Sequence, residues 1–110
     1  MSPGDRLAAE RERTAQRLDR LRTELAGFVA ASKDSNADDE HDPEGATIAF
    51  ERSQVATLLR EGQQHLVDID AALARLDAGV YGTCEGCGSP IPEGRLEVRP
   101  MTRHCVGCAA

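Results

Sequence analysis

Four cysteines constrain this chain more than any other feature it has. Cys84 and Cys87 form one Cys-x-x-Cys pair, Cys105 and Cys108 form a second, and seventeen residues separate the two. This is the spacing of a four-thiolate zinc site, and it uses every cysteine in the protein. Two thiolates three positions apart reach one ion only if the backbone turns sharply between them, and each pair carries a glycine inside its turn, Gly86 and Gly107. Between the pairs stand Pro90, Pro92, Gly94 and Pro100, punctuation suited to short strands and turns and unsuited to a helix. Residues 79–110 therefore read as a small zinc ribbon with one structural Zn(2+) on Cys84, Cys87, Cys105 and Cys108. Four protein thiolates leave no open position for water or substrate, so the metal is expected to be structural rather than catalytic. His104, next to Cys105, reads as a surface residue and at best a spare ligand.

Other uses of the cysteines fit less well. Two disulfides would suit an oxidising compartment, but the N-terminus carries no visible secretory signal. A redox Cys-x-x-Cys pair wants a single motif opening a helix in a strand-helix-strand unit, and no such pattern surrounds these pairs.

Composition narrows the class. The 110 residues suffice for one domain, but the aromatics are only Phe28, Phe50 and Tyr81, so an elongated molecule is expected rather than one with a thick core. The net charge of −6 opposes nonspecific binding to nucleic acid, which requires a basic surface to displace counterions. No apolar run approaches a membrane span, and the chain reads as soluble, cytoplasmic and monomeric. No serine, cysteine or histidine arrangement suggests an enzyme.

The rest of the chain is patterned in heptads. Alternating steps of four and three link Leu7, Arg11, Thr14, Leu18, Leu21, Leu25 and Phe28, and the same steps link Ile48, Arg52, Val55, Leu59, Gly62, Leu66, Ile69, Leu73 and Leu76. The first helix opens at Ser2-Pro3, with Asp5 near the positive end of its dipole. The second runs from about Pro43 to Ala78 and is stopped by Gly79 and Gly82. Two such helices joined by a short polar link predict an antiparallel hairpin over residues 1–78, a coiled coil of roughly 45 to 50 Å. A turn centred near residue 40 would face Leu7 with Leu73, Leu21 with Leu59, and Leu25 with Val55. The competing use of the same stripes is a coiled coil between chains.

The link at about 33–46 is the second informative stretch. From Ser32 to Gly45 it holds six acids against one lysine, a net of −5, so nearly all the acidity of the protein sits at the tip of the expected hairpin. An acidic run of this kind is by default a solvated loop, with Asp42 or a neighbouring acid capping the second helix ahead of Pro43. Its functional use would be to carry carboxylates to a basic or magnesium-bearing site on a partner. Phe50 falls at an outward position just behind the tip, where it either anchors a partner or folds over the loop or onto Phe28.

The C-terminal residues Tyr81-Gly82-x-Cys84-x-x-Cys87-Gly88, Ile91, Arg95-Leu96, Pro100 and Cys105-x-x-Cys108 closely resemble the zinc finger of the DksA/TraR family of bacterial transcription regulators. The acidic-tipped hairpin ahead of them agrees with that family in architecture. The resemblance implies a regulator that binds RNA polymerase rather than DNA, entering the secondary channel and bringing acidic tip residues near the catalytic magnesium. In this chain those residues would be Asp39, Asp42 and Glu44. Well-studied members carry an Asp-x-x-Asp-x-Ala tip, which neither Asp39 nor Asp42 as the first acid reproduces, and longer members continue into a C-terminal helix beyond the point where this sequence stops. A DNA-binding ribbon is disfavoured because Arg95, Arg99 and Arg103 are matched by Glu85, Glu93 and Glu97. A zinc-ribbon adaptor or a zinc-thiolate redox sensor is the other class of function the residues allow.

Overall fold

The computed structural model describes the backbone of residues 1–34 and 43–109, and side chains over 1–31 and 45–109. The protein is mainly helical: two long helices, α1 (Pro3–Asp34) and α2 (Pro43–Asp77), form a hairpin, and a short α3 (Glu93–Val98) lies in the C-terminal finger. No helix among the described residues is long and apolar enough to cross a membrane. Two compact units divide the chain. One joins Met1–Arg13 to Leu66–Ala110, and the other is Thr14–His65.

Local chemistry sets the helix ends. Ser2 caps α1 ahead of Pro3, its Oγ accepting from the Asp5 N–H at 3.1 Å while its own N–H points back to Asp5 Oδ2 at 3.4 Å. This reciprocal pair satisfies two of the amides that a helix start leaves without partners. At the far end of α2, Gly79 takes a left-handed φ of 77°. Its N–H bonds to Leu76 O at 3.1 Å and that of Val80 to Arg75 O at 2.9 Å, closing a Schellman motif that a residue with a Cβ would strain.

Within residues 14–65 the seam is built by Thr14, Leu18, Leu21 and Val55, all buried, with Leu25, Phe28, Ile48 and Leu59 half-buried beside them. Gly62 is buried too, and a methyl group built on it would lie 2.7 Å from Leu18 Cδ2. The chains meet there because one side of the seam lacks a side chain. In the other unit Leu7, Ile69 and Ala72 are fully buried, and a methyl on Gly4 would lie 3.2 Å from Leu76 Cδ2. Both contacts pair residues placed symmetrically about position 40, the register of an antiparallel hairpin. Two heptad seats, Arg11 and Arg52, are exposed, and Arg11 instead bonds Asp70 at 2.7 Å. Phe50 is 63% exposed, so most of its ring faces solvent.

Candidate metal centre

The finger begins where α2 stops. Thr83 and Pro90 form an isolated antiparallel bridge, and between them the Cys84 N–H bonds to Ser89 O at 2.9 Å and the Gly88 N–H to Cys84 O at 2.9 Å. These bonds fold the first Cys-x-x-Cys into a knuckle, closed by Gly88 at φ 74°. The second knuckle is tied by the N–H groups of Cys108 and Ala109, both donating to Cys105 O. The Glu85 N–H donates to Arg103 O at 2.9 Å, which joins the two knuckles.

Between the knuckles the expectation of strands and turns is corrected, because α3 occupies Glu93–Val98. The prolines that argued against a helix flank it instead. Pro92 stands at its N-cap, Glu93 adds a favourable charge to the first turn, and Leu96 supplies an apolar anchor. Leu96 packs with Cys84 and Ile91 into a small core, against which Tyr81, Cys105 and Cys108 lie partly buried.

The four sulfurs converge at this core. All lie within 4.8 Å of one another, and Cys87 Sγ is 3.8 Å from Cys105 Sγ. A tetrahedral zinc with bonds of about 2.3 Å requires sulfurs about 3.8 Å apart, so the donor set and its spacing fit one structural Zn(2+). All four cysteines are free thiols. Gly86 lets the knuckles approach, since a Cβ there would sit 3.1 Å from Cys108 Sγ, whereas Gly107 meets no such crowding. His104 is half-buried rather than on the surface, and it is outside the ligand cluster.

The thiols are not equivalent before metal binds. The Cys105 backbone N–H, donating to Cys84 Sγ at 3.3 Å, is the main reason that the Cys84 thiol is pulled down to about 6. Cys87 is lowered by the Ser89 backbone N–H. Cys108 is pushed up to about 12, chiefly by its hydrogen bond with Cys105 and then by those with Cys84 and Cys87. One pocket of amide donors thus favours thiolate on the first knuckle, while crowding by sulfur holds a proton on the last cysteine.

A second tier of residues places the knuckles. Arg95 Nε donates to His104 O at 2.9 Å, Tyr81 Oη donates to Pro100 O at 2.8 Å, and Arg75 Nη2 on α2 donates to Met101 O at 3.2 Å. Burial, followed by the Arg103 charge, lowers the Arg75 pKa. Sequence reasoning assigned these residues no role. Tyr81, Arg95 and Pro100 were visible only as motif positions, and Arg75 carried no signal apart from its place in the last turn of α2. Of the tip residues, Asp39 and Asp42 lie outside the described residues, and Glu44 falls in the first turn of α2 with its side chain outside them.

Comparison with known proteins places the finger in a family: residues 79–110 match the prokaryotic dksA/traR C4-type zinc finger. The RNA polymerase-binding transcription factor DksA of Caulobacter vibrioides is 50% identical over 48 residues, covering 43% of this chain and 34% of that one. General stress protein 16O of Bacillus subtilis is 33% identical over 76 residues, 69% of this chain and 47% of that one. The chain spans less than half the length of these curated relatives. Among solved structures, transcription factor DksA2 from Pseudomonas aeruginosa superposes with a TM-score of 0.60 at 27% identity, covering 96% of this chain and 78% of that one.

Proposed function

We propose that the chain is a DksA/TraR-family protein, a transcription regulator that binds RNA polymerase directly, without sequence-specific recognition of DNA. The observation that carries this reading is the fold likeness to a DksA-type transcription factor along 96% of the chain, hairpin as well as finger. A finger match alone would allow any zinc-ribbon adaptor. The net charge of −6 supports a protein rather than a nucleic-acid partner.

In this reading the zinc on Cys84, Cys87, Cys105 and Cys108 is structural, and no residue is catalytic. The protein acts as a monomer in the cytoplasm. The hairpin enters the polymerase secondary channel, with Asp39, Asp42 and Glu44 meeting a basic or magnesium-bearing surface where carboxylate charge is favourable. The exposed ring of Phe50 stands six residues behind Glu44 and adds an apolar contact on the same end.

The test is co-purification with core RNA polymerase, followed by site-specific crosslinking from positions 39 and 42. Asp39→Asn and Asp42→Asn are expected to weaken the effect on promoter-complex lifetime while leaving helicity and thermal stability nearly unchanged, because Asn caps a helix about as well as Asp. If wild type, both Asn variants and Phe50→Ala bind and act alike, the tip is a solvated turn and the insertion reading is wrong. Failure to co-purify at all would remove the polymerase as partner and leave the adaptor or redox-sensor class.

A further inference from the structure

Arg95 sits on α3, and its guanidinium directs two donors at the segment leading into the second cysteine pair. Nε donates to the His104 carbonyl at 2.9 Å, and Nη2 lies 3.4 Å from Thr102 Oγ1. The Thr102 hydroxyl itself donates to the same carbonyl at 3.0 Å. That carbonyl is one end of the His104–Cys105 peptide. The other end of the same peptide, the Cys105 N–H, donates to Cys84 Sγ at 3.3 Å. A cation, one planar amide and a ligand sulfur therefore stand in series.

Hydrogen bonds in such a chain polarise one another. A charged donor draws electron density onto the carbonyl oxygen, which makes the amide hydrogen at the other end more positive and a stronger donor, and charge-assisted bonds are roughly twice as strong as neutral ones. The Cys105 N–H is the leading donor to that sulfur, ahead of the Cys87 and Gly86 amides, and Cys84 is 1% exposed, with little access to water. Four thiolates around a divalent ion leave surplus negative charge on the sulfurs, and a positive group delivered through a peptide offsets it without competing for the metal.

We propose that Arg95 is a positioning residue of the zinc centre: through the His104–Cys105 peptide it orients and strengthens the N–H that holds the Cys84 sulfur, and so governs how slowly the finger gives up its metal. This rests on the four-cysteine ligand set and is independent of any partner of the hairpin, so its failure would leave the polymerase reading untouched.

The zinc-loaded full chain is challenged with excess chromogenic chelator and the rate of zinc release is followed for wild type, Arg95→Gln, Arg95→Lys and Arg99→Gln. Arg99 is the control, an exposed arginine on the residue after α3, whose loss changes net charge by the same amount. Arg95→Gln is expected to release zinc faster by about 10- to 100-fold, the usual cost of losing a group that orients a ligand. Arg95→Lys, which keeps the charge, recovers part of the loss, and Arg99→Gln matches wild type. Equal release from Arg95→Gln and Arg99→Gln would overturn the proposal. Should Arg95→Gln fail to fold, the wild type still decides. Its Cys105 amide proton is expected at low field and slower to exchange than that of Val106, a residue 69% exposed, and should move in Arg95→Lys while the amides of α1 do not. A Cys105 amide exchanging as fast as that of Val106 means that the bond to sulfur is absent.

Discussion

Gly27 and Gly62 are the same residue type in the two long helices, and their surroundings give one substitution opposite signs. Gly27 is exposed, with nothing within 4 Å of a built Cβ, so Gly27→Ala only removes backbone entropy from the unfolded chain. It is expected to stabilise by about 0.5–1 kcal/mol. Gly62→Ala makes the same propensity gain but drives a methyl to 2.7 Å from Leu18 Cδ2, and Leu18 is 1% exposed with little room to move. Overpacking of this kind costs about 1–3 kcal/mol, so a net loss of about 1–2 kcal/mol is expected. Denaturant midpoints of the two variants on opposite sides of wild type check the pair. At the metal, Cys108 is pushed up to about 12 and keeps its proton at neutral pH, yet it must bind as thiolate. Zinc uptake at pH 7 is therefore expected to release at least that proton, and affinity to fall as pH falls toward about 6, where Cys84 also becomes protonated. Calorimetry in two buffers of different ionisation enthalpy measures the protons released.

Among the elements, the two long helices were legible from spacing because an amphipathic stripe with a period near 3.5 has few other uses. Burial divides that stripe unevenly. Leu21 is 6% exposed, whereas its expected partner Leu59 is only half-buried. Leu21→Ala is thus expected to cost about 2–4 kcal/mol and Leu59→Ala distinctly less, as read by equilibrium unfolding. Equal losses would mean that Leu59 is packed as deeply as Leu21. The ion pair Arg11–Asp70 occupies an exposed seat, with side chains 47% and 49% accessible, where solvent screens it, so it adds little to stability. The short α3 was not legible. Its six residues carry no full amphipathic period, and the prolines on both sides dominated the pattern.

At the scale of the molecule, one compact unit combines the finger with the first turns of α1 and the last turns of α2. Arg75 bonding Met101, with Tyr81 bonding Pro100 beside it, ties α2 to the loop that leads into the second knuckle. Removal of zinc is therefore expected to speed amide exchange in residues 66–77 as well as in the finger, with residues 14–65 close to the zinc-loaded rates. Unchanged exchange in 66–77 after chelation would show that the finger folds and unfolds by itself.

Sequence alone determined the four-cysteine cluster, the two helices and their register. Each of these follows from a short-range rule: thiolate spacing, heptad period and turn chemistry depend on residues near one another in the chain. Only the tertiary structure decided which seats of the stripe are sealed, why position 62 must lack a side chain, and where the second cysteine knuckle is held. Those outcomes depend on atoms brought together from distant positions, such as Leu18 on Gly62 and Arg75 on Met101. A local pattern specifies which residues can be buried, but it is packing between segments that settles which of them exclude water and which donors find their acceptors.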